Sequence, residues 1–398
     1  MAKRAYIAVN GIGLGHARRS NRIGRMLKNE GYEILFSTYK GTSAEKFLRE
    51  VGWRVVTVPE LSWTPTKDGG IDGARTVLKV PAGVKIVAEH LSLEHKIIKN
   101  FAPDIVLSDM RLASVFVSKM LDIPCFFISL FLSMRRVPDN NLKPIARVLA
   151  GFIERAAKTC NKIFMTDFPP PWTIYYYFLP ARIPSNMVFT GPIIDENIER
   201  EIYERDISEA KYFAKEELGL EGYEKTILFI PSGHEASQRF FLQNFLALIP
   251  FFKRKERIKF VLFKLGRSDK RRIRIRDNIE IINWIPNITD SLLSKYFLAS
   301  DIIIGHYGMN KVFDAIAAGA VFAGVMSKNQ LEQQGLATRV AELKLGFIIR
   351  NFRKEVPEII ELISENGEYY RRVRAYGKMM KKYGALDIIK KEVESALG

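Results

Sequence analysis

The chain alternates short apolar runs with longer amphipathic segments. "AYIAV" (Ala5 to Val9) is a buried strand, followed by a glycine-rich loop and a helix from about His16 to Asn29. Gly31 ends that helix and "YEILFST" is the next strand. "SAEKFLREVG" is helical and "RVVTV" is a strand; after an irregular stretch, a helix of several turns ends near Asn100. "PDIVLSD" and "IPCFFIS" are further strands, separated by the helix "LASVFVSKML". The pattern restarts at "KTILFIPSG" and runs through "SQRFFLQNFLALI", "IKFVLFKLG", "NIEIINWI", "DIIIGH", "AVFAGVM" and "LGFII". Strands alternating with helices at this spacing predict right-handed βαβ units around parallel sheets covered on both faces. The class is α/β, with two tandem Rossmann-like domains. The expected division is 1–190, 191–370 and a C-terminal helix over 371–398. That helix either packs on its own domain or crosses back to the first one.

A length of 398 residues suits two domains. No apolar run reaches the roughly 18 residues of a spanning helix; "IPCFFISLFLSM" reads as a buried strand running into a loop. The opening "MAKRAYIAVNG" lacks the apolar core of a signal peptide, so a cytoplasmic location is expected. Cys125 and Cys160 have no metal-ligand spacing, so a reduced compartment is expected. The net charge of +17 favours a polyanionic partner: nucleic acid, an anionic membrane or a phosphorylated substrate. A lysine-rich, thermophile-type surface is an alternative cause.

Ligands of parallel sheets bind at the carboxyl ends of strands, where helix N-termini favour phosphate. Three loops have that placement: "NGIGLGH" (Asn10 to His16), "PSGHEAS" (Pro231 to Ser237) and the stretch from Gly305 to Asn310. The first has Gly13 and Gly15 but lacks the third glycine of a dinucleotide fingerprint, and no Gly-Lys-Ser/Thr follows. It is either a plain tight turn or a phosphate or acceptor loop. His16 at the helix start favours the second, since a neutral imidazole there accepts a proton from an incoming hydroxyl. In "IGHYGMNKVFDAIAAG", Gly305 and Gly308 let backbone approach a phosphate, and His306 and Asn310 can donate to diphosphate oxygens. Asp314, one turn beyond Asn310, suits ribose hydroxyls; its plain alternative is an exposed helical residue.

"HYGMNKVFDAIAAG" resembles the donor-site signature of glycosyltransferases with the two-domain B fold, H-x-G-x-N/T-S/T-x-x-E-A-x-x-x-G. "SKNQLEQQGLATRVAELKLG" resembles the acidic–Gln segment of that family, and "GIGLGHARR" resembles the N-terminal loop of its MurG-like branch and archaeal relatives. The three segments occur in the family's order, so the resemblance covers essentially the whole chain. It implies two domains facing across a cleft, with Asp314 on the ribose, His306 on the phosphate, and Glu332 and Gln333 on the sugar hydroxyls. Ile285 falls near the uracil-reading loop, Ser232 and Gly233 fall on the diphosphate loop, and Gly308 and Asn310 lie within the signature. His16 falls on the base or acceptor histidine. The chain departs from the pattern in three places. Asp replaces Glu at 314 and Lys311 replaces a small hydroxyl residue. "SDMRLAS" stands where MurG-type enzymes have a second glycine loop, which leaves Asp109 as a carboxylate able to orient His16.

The resemblance implies inverting transfer of a hexose or N-acetylhexosamine, GlcNAc favoured, from a UDP-sugar to a lipid-linked acceptor such as a polyprenyl or dolichyl diphosphate sugar. A diacyl- or diether-glycerol acceptor is the alternative; a UDP-sugar epimerase, a nucleic-acid-binding protein and an inactive donor-binding subunit are further ones. There is no nucleic-acid-reading motif. No Asp-x-Asp pair ends a strand, so no tightly bound metal or other cofactor is expected. Lys143, Arg147, Arg155 and Lys158 interleave with apolar positions. That pattern predicts either peripheral docking on the anionic inner face of the cell membrane or a packed helix with a basic solvent face. "FPPPWTIYYYFLP" is either a lipid-groove wall or a packed connection.

Overall fold

The computed structural model describes residues 3–11, 14–59, 80–134, 136–137, 143–231, 235–265, 271–284, 291–327, 330–363 and 367–397. For 80–87, 143–145, 235–237 and 265 it describes backbone alone. The chain forms two compact units: the described residues up to Ile193 together with Tyr383 onward, and Ile194–Lys382.

In chain order the first unit has β1 (Arg4–Val9), α1 (Leu14–Asn29), β2 (Glu33–Tyr39), α2 (Ser43–Glu50), β3 (Val55–Val58) and α3 (Val80–Phe101). It continues with β4 (Ile105–Asp109), α4 (Leu112–Met120), β5 (Cys125–Ser129), α5 (Lys143–Ala157), β6 (Lys162–Met165) and β7 (Met187–Phe189). The second unit has α6 (Glu196–Glu204), α7 (Ile207–Leu218), β8 (Lys225–Ile230), α8 (Glu235–Ala247), α9 (Ile249–Phe252), β9 (Ile258–Leu265), β10 (Arg272–Arg276) and β11 (Ile279–Trp284). Then come α10 (Leu292–Ala299), β12 (Ile302–His306), α11 (Met309–Ala317), β13 (Val321–Val325), α12 (Leu331–Glu342), β14 (Gly346–Ile349), α13 (Phe352–Leu362) and α14 (Glu368–Lys382). The last helix, α15 (Ala385–Leu397), belongs to the first unit. The single helix expected over 371–398 is therefore two, broken near Gly384.

The first sheet has the order β3-β2-β1-β4-β5-β6-β7 and is parallel throughout. The second has the order β10-β11-β9-β8-β12-β13-β14, parallel except for β10 on β11. Central strands are buried on both faces, which is why they read as continuous apolar runs. Strand order reverses between β1 and β4 in one sheet and between β8 and β12 in the other. Those two points are where an open α/β sheet binds ligands.

In the first unit Ala385, Ile389 and Val393 of α15 enter the same core as Ile23 and Leu27 of α1. Lys390 pairs with Glu30 at 2.6 Å and Glu392 with Lys162 at 2.7 Å, at the margin of that contact. The aromatic segment after β6 is a packed connection: Ile174, Tyr175 and Phe178 have no exposure at all. Basic residues flanking the strand "IKFVLF" are expected at sheet ends and on loops. "RIRIR" is instead an exposed edge strand, and charged side chains keep such an edge from pairing with another chain. Among the described residues no helix is long and apolar enough to cross a membrane.

The second sheet is held, at the end away from its carboxyl termini, by a buried carboxylate. Asp301 accepts the Thr226 N–H at 2.8 Å and the ammonium groups of Lys211 (3.0 Å) and Lys215 (3.3 Å), tying α7 to β8 and β12. Burial pushes the Asp301 carboxyl up, but Lys211, Lys215 and the N–H outweigh it and hold it below its usual range. Lys211 is pushed down, because its own burial exceeds what Asp301 returns. Asp301→Asn should lower stability by about 3 kcal/mol near neutral pH, since it strands buried ammonium groups. A carboxyl with a depressed pKa contributes stability above the usual carboxylate range and loses it as pH falls toward its own pKa. Urea melts at about pH 7 and about pH 3 should therefore show the gap to wild type shrinking in acid.

Candidate active site

At the first switch point Val9 of β1 pairs with Asp109 of β4, and the loops leaving both strands carry the polar groups. The loop after β1 begins by donating the Asn10 N–H to the Asp109 carbonyl at 3.1 Å. α1 starts at Leu14, earlier than the sequence suggests, which puts His16, Arg19 and Ser20 on one face at helical spacing. All three converge on Asp109, which is wholly buried. His16 Nδ1 lies 2.7 Å from Oδ1, and Arg19 grips both oxygens, Nε to Oδ2 at 2.9 Å and Nη2 to Oδ1 at 2.6 Å. Ser20 Oγ donates to Oδ2 at 2.9 Å.

The charges decide the protonation. Burial pushes the Asp109 carboxyl up, but Arg19 and then His16 hold it far below the usual carboxylate range. Asp109 is therefore a pure acceptor. Arg19 Nη2 also lies 2.9 Å from His16 Nδ1, and a pure acceptor 2.7 Å from Nδ1 requires a proton there. The imidazole consequently carries its proton on Nδ1 and presents the lone pair of Nε2, which no described residue occupies. His16 keeps part of its ring exposed (14%), as a group that must reach a ligand requires.

Beyond β4 the chain turns sharply at Met110, whose φ is +57°, unusual for a residue with a side chain. Arg111 then points inward. It is almost completely buried, pairs with Glu94 of α3, and donates to the Val9 carbonyl at 3.2 Å. Tyr6 and Ser37 also bond Glu94. Glu94 and Arg111 thus centre a buried network that reaches the end of β1.

At the second switch point Gly305 of β12 lies opposite Ile230 of β8. A Cβ on Gly305 would stand 2.8 Å from the Ile230 carbonyl oxygen, so this glycine serves strand packing. Gly308 differs: its φ of −171° suits any residue, and a Cβ there would meet only Lys311 Cε at 3.9 Å. The side of Gly308 is open, as close approach of a ligand to the α11 N-terminus demands. His306 ends β12 almost buried, its ring 4.9 Å from that of Phe241. Burial, and then Lys311, push its imidazole down to about 3, so it is neutral at physiological pH.

Asn310 is half-buried, and Asp314 lies one turn further along α11. Asp314 is buried rather than an exposed helical residue, and Oδ1 accepts the Asp195 N–H at 2.8 Å. Asp195 in turn caps α6 and accepts from Ser294 at 2.8 Å. Gln333 and Glu332 lie half-buried in the first turn of α12, and Gln333 Oε1 accepts the Ser327 N–H at 2.6 Å. That bond fixes the Gln333 amide with its NH₂ still available to donate. Gly15 is half-buried in the first turn of α1. Gly13, Ser232, Gly233 and Ile285 lie outside the described residues. Among the described residues no group of three or more His, Cys, Asp or Glu could hold a metal ion.

Sequence reasoning singled out His16 and Asp109 but missed Arg19 and Ser20. The spacing from His16 in "GHARRS" was the available signal. Lys311 reads from the sequence only as a departure from the family pattern.

A family profile described as glycosyl transferase family 1 matches residues 3–174. An uncharacterized glycosyltransferase of Methanosarcina acetivorans is 22% identical over 403 aligned residues, 98% of each chain. MurG of Acinetobacter baumannii superposes with a TM-score of 0.61 at 13% identity, over 99% of each chain. The Streptomyces glycosyltransferase SsfS6, solved with thymidine diphosphate, gives 0.59 at 15% identity, over 98% of this chain and 99% of that one. The profile thus covers the first domain, and the fold along the whole chain is that of the B-fold glycosyltransferases.

Proposed function

We propose that the chain transfers a hexose or N-acetylhexosamine, GlcNAc above all, from a UDP-sugar to a hydroxyl of a lipid-linked acceptor, with inversion at the anomeric carbon. One observation carries the reading: an imidazole fixed on Nδ1 by a buried carboxylate, with Nε2 presented. That is the arrangement of a general base. Nε2 takes the acceptor proton as the acceptor oxygen bonds to the anomeric carbon. The bond from that carbon to the diphosphate breaks, and its electron pair leaves with UDP. The negative charge on the leaving group falls to the N-terminus of α11, with neutral His306 and Asn310 as donors. The thymidine diphosphate bound by SsfS6 supports a nucleoside diphosphate as the donor's leaving group. No tightly bound metal is part of this reading.

The lipid acceptor and peripheral membrane docking rest on α5. Val148, Leu149 and Phe152 are exposed on it beside exposed Arg147, Arg155 and Lys158. Phe116 and Met120 are exposed on α4, which packs against α5. An apolar strip rimmed by cations suits an anionic lipid interface, where each basic residue contributes about 1 kcal/mol.

His16→Ala should lower turnover by about 10²–10⁴ at saturating donor and leave UDP affinity unchanged, because a base acts in the transition state. Calorimetry with UDP and transfer of labelled sugar to a polyprenyl diphosphate sugar measure the two. Lost UDP binding with intact turnover would instead make His16 a phosphate ligand. Asp109→Asn should also slow transfer, and should lower the melting temperature because Arg19 loses its bidentate partner.

Reversing Arg147 and Arg155 to Glu should weaken sedimentation with phosphatidylglycerol vesicles by about 10-fold or more. Phosphatidylcholine vesicles should be bound weakly before and after. Equal binding to both lipids by both proteins would rule out the electrostatic dock.

A further inference from the structure

α11 carries a charge that no described residue pairs. Lys311 lies in its first turn, and although its stem is partly exposed, its Nζ is buried without a hydrogen-bond partner among the described residues. Burial alone pushes its ammonium down to about 8; no carboxylate pulls it back. The 3.9 Å separation between Lys311 Cε and a Cβ position on Gly308 shows that the side chain folds back over the start of the helix. His306 also senses the charge, as its own depressed pKa records.

Two effects make this an unfavourable place for a cation. A buried ammonium without a partner loses its hydration, and the first turn is the positive end of the helix dipole. Lys211 and Lys259, also drawn into this unit, are paired with Asp301 and Glu280. An anion at the α11 N-terminus would reverse both penalties at Lys311. Gly308 leaves room for one beside the backbone, and the helix end supplies N–H groups aimed the same way.

We propose that Lys311 is the counter-ion of the donor's diphosphate. Its ammonium holds a phosphate oxygen in the bound state and meets the charge that grows on the leaving nucleoside diphosphate. The bond changes are those given above: the diphosphate oxygen receives the electron pair of the breaking anomeric C–O bond, and His16 receives the acceptor proton. The assignment rests on the donor reading just proposed and adds to it a charged group where a small hydroxyl was expected. Transition-state charge is thereby neutralised by a cation already in place and already desolvated, so no reorganisation accompanies the step.

The test is Lys311→Met, with UDP, inorganic pyrophosphate and uridine as probes in calorimetry and thermal melting. A charge-assisted hydrogen bond accounts for about 10–100-fold in affinity. Lys311→Met should therefore weaken UDP and pyrophosphate by that factor and leave uridine unchanged. Lys311→Arg, which keeps the charge, should recover most of the loss. The unliganded Lys311→Met protein should melt higher than wild type, because a stranded charge is gone, while its UDP-induced rise in melting temperature shrinks. UDP affinity within about threefold of wild type in Lys311→Met would overturn the assignment and leave the donor reading standing. So would an equal loss for uridine, which would mean a general disturbance of the site. Failure of the wild-type protein to bind UDP at all would overturn both.

Discussion

A carboxylate with no exposure to water has to be neutralised by the protein, and in the first unit Asp109 sets that requirement. Arg19 meets most of it through two bonds to the carboxylate. For Arg19 to reach, α1 must begin at Leu14 and turn one face toward the end of β4; His16 and Ser20 then arrive on the same face. The imidazole proton has only one place left, on Nδ1. A single buried charge thus fixes the phase of a helix and the tautomer of the group best placed for proton transfer. Arg111 and Glu94 repeat the device, and Arg111 steadies the Val9 carbonyl at the end of β1.

The second unit handles charge differently on its two sides. At the far end of the sheet Asp301 gathers two ammonium groups and a backbone N–H, and nothing is left over. At the carboxyl ends Asp314 is bonded to the Asp195 backbone, Gln333 to the Ser327 backbone, and Lys311 to no described residue. Local rules are kept at the far end of the sheet and broken at Lys311, where the donor is proposed to bind. That is the pattern expected when binding free energy, not folding, completes the interactions.

Much of the fold is legible in the sequence because doubly covered parallel strands produce long apolar runs. β4, β5, β12 and β13 announce themselves in that way. β6, β7 and β10 do not: the first two are four and three residues long, and "RIRIR" reads as charge, because an exposed edge strand has no apolar face to hide. The break between α14 and α15 is hidden for another reason. Both helices are amphipathic, and only the core shared with α1 shows that the chain changes unit there. Within the site, residue types were legible and bond partners were not. Asp314 and Asp195 are 119 positions apart, so no local pattern could show that this carboxylate holds backbone. Arg19 was within reach, three residues from His16, but only once the helix phase is known.

The same distinction separates the cations behind the net charge of +17 into kinds that composition cannot tell apart. Arg272, Arg274 and Arg276 guard a sheet edge and lie in solvent. Arg147, Arg155 and Lys158 are also exposed, but they border Val148, Leu149 and Phe152. Solvation alone gives no reason for three apolar side chains to stand beside them in water, and the proposed lipid docking rests on that arrangement. Arg19, Arg111 and Lys259 are buried, and each has its carboxylate. A thermophile-type surface explains the first kind only. Lys311 fits none of these groups. It is not surface charge, for its nitrogen is buried, and it is not internal neutralisation, for it has no described partner. An anion would favour a cation in that position, and the described residues do not provide one.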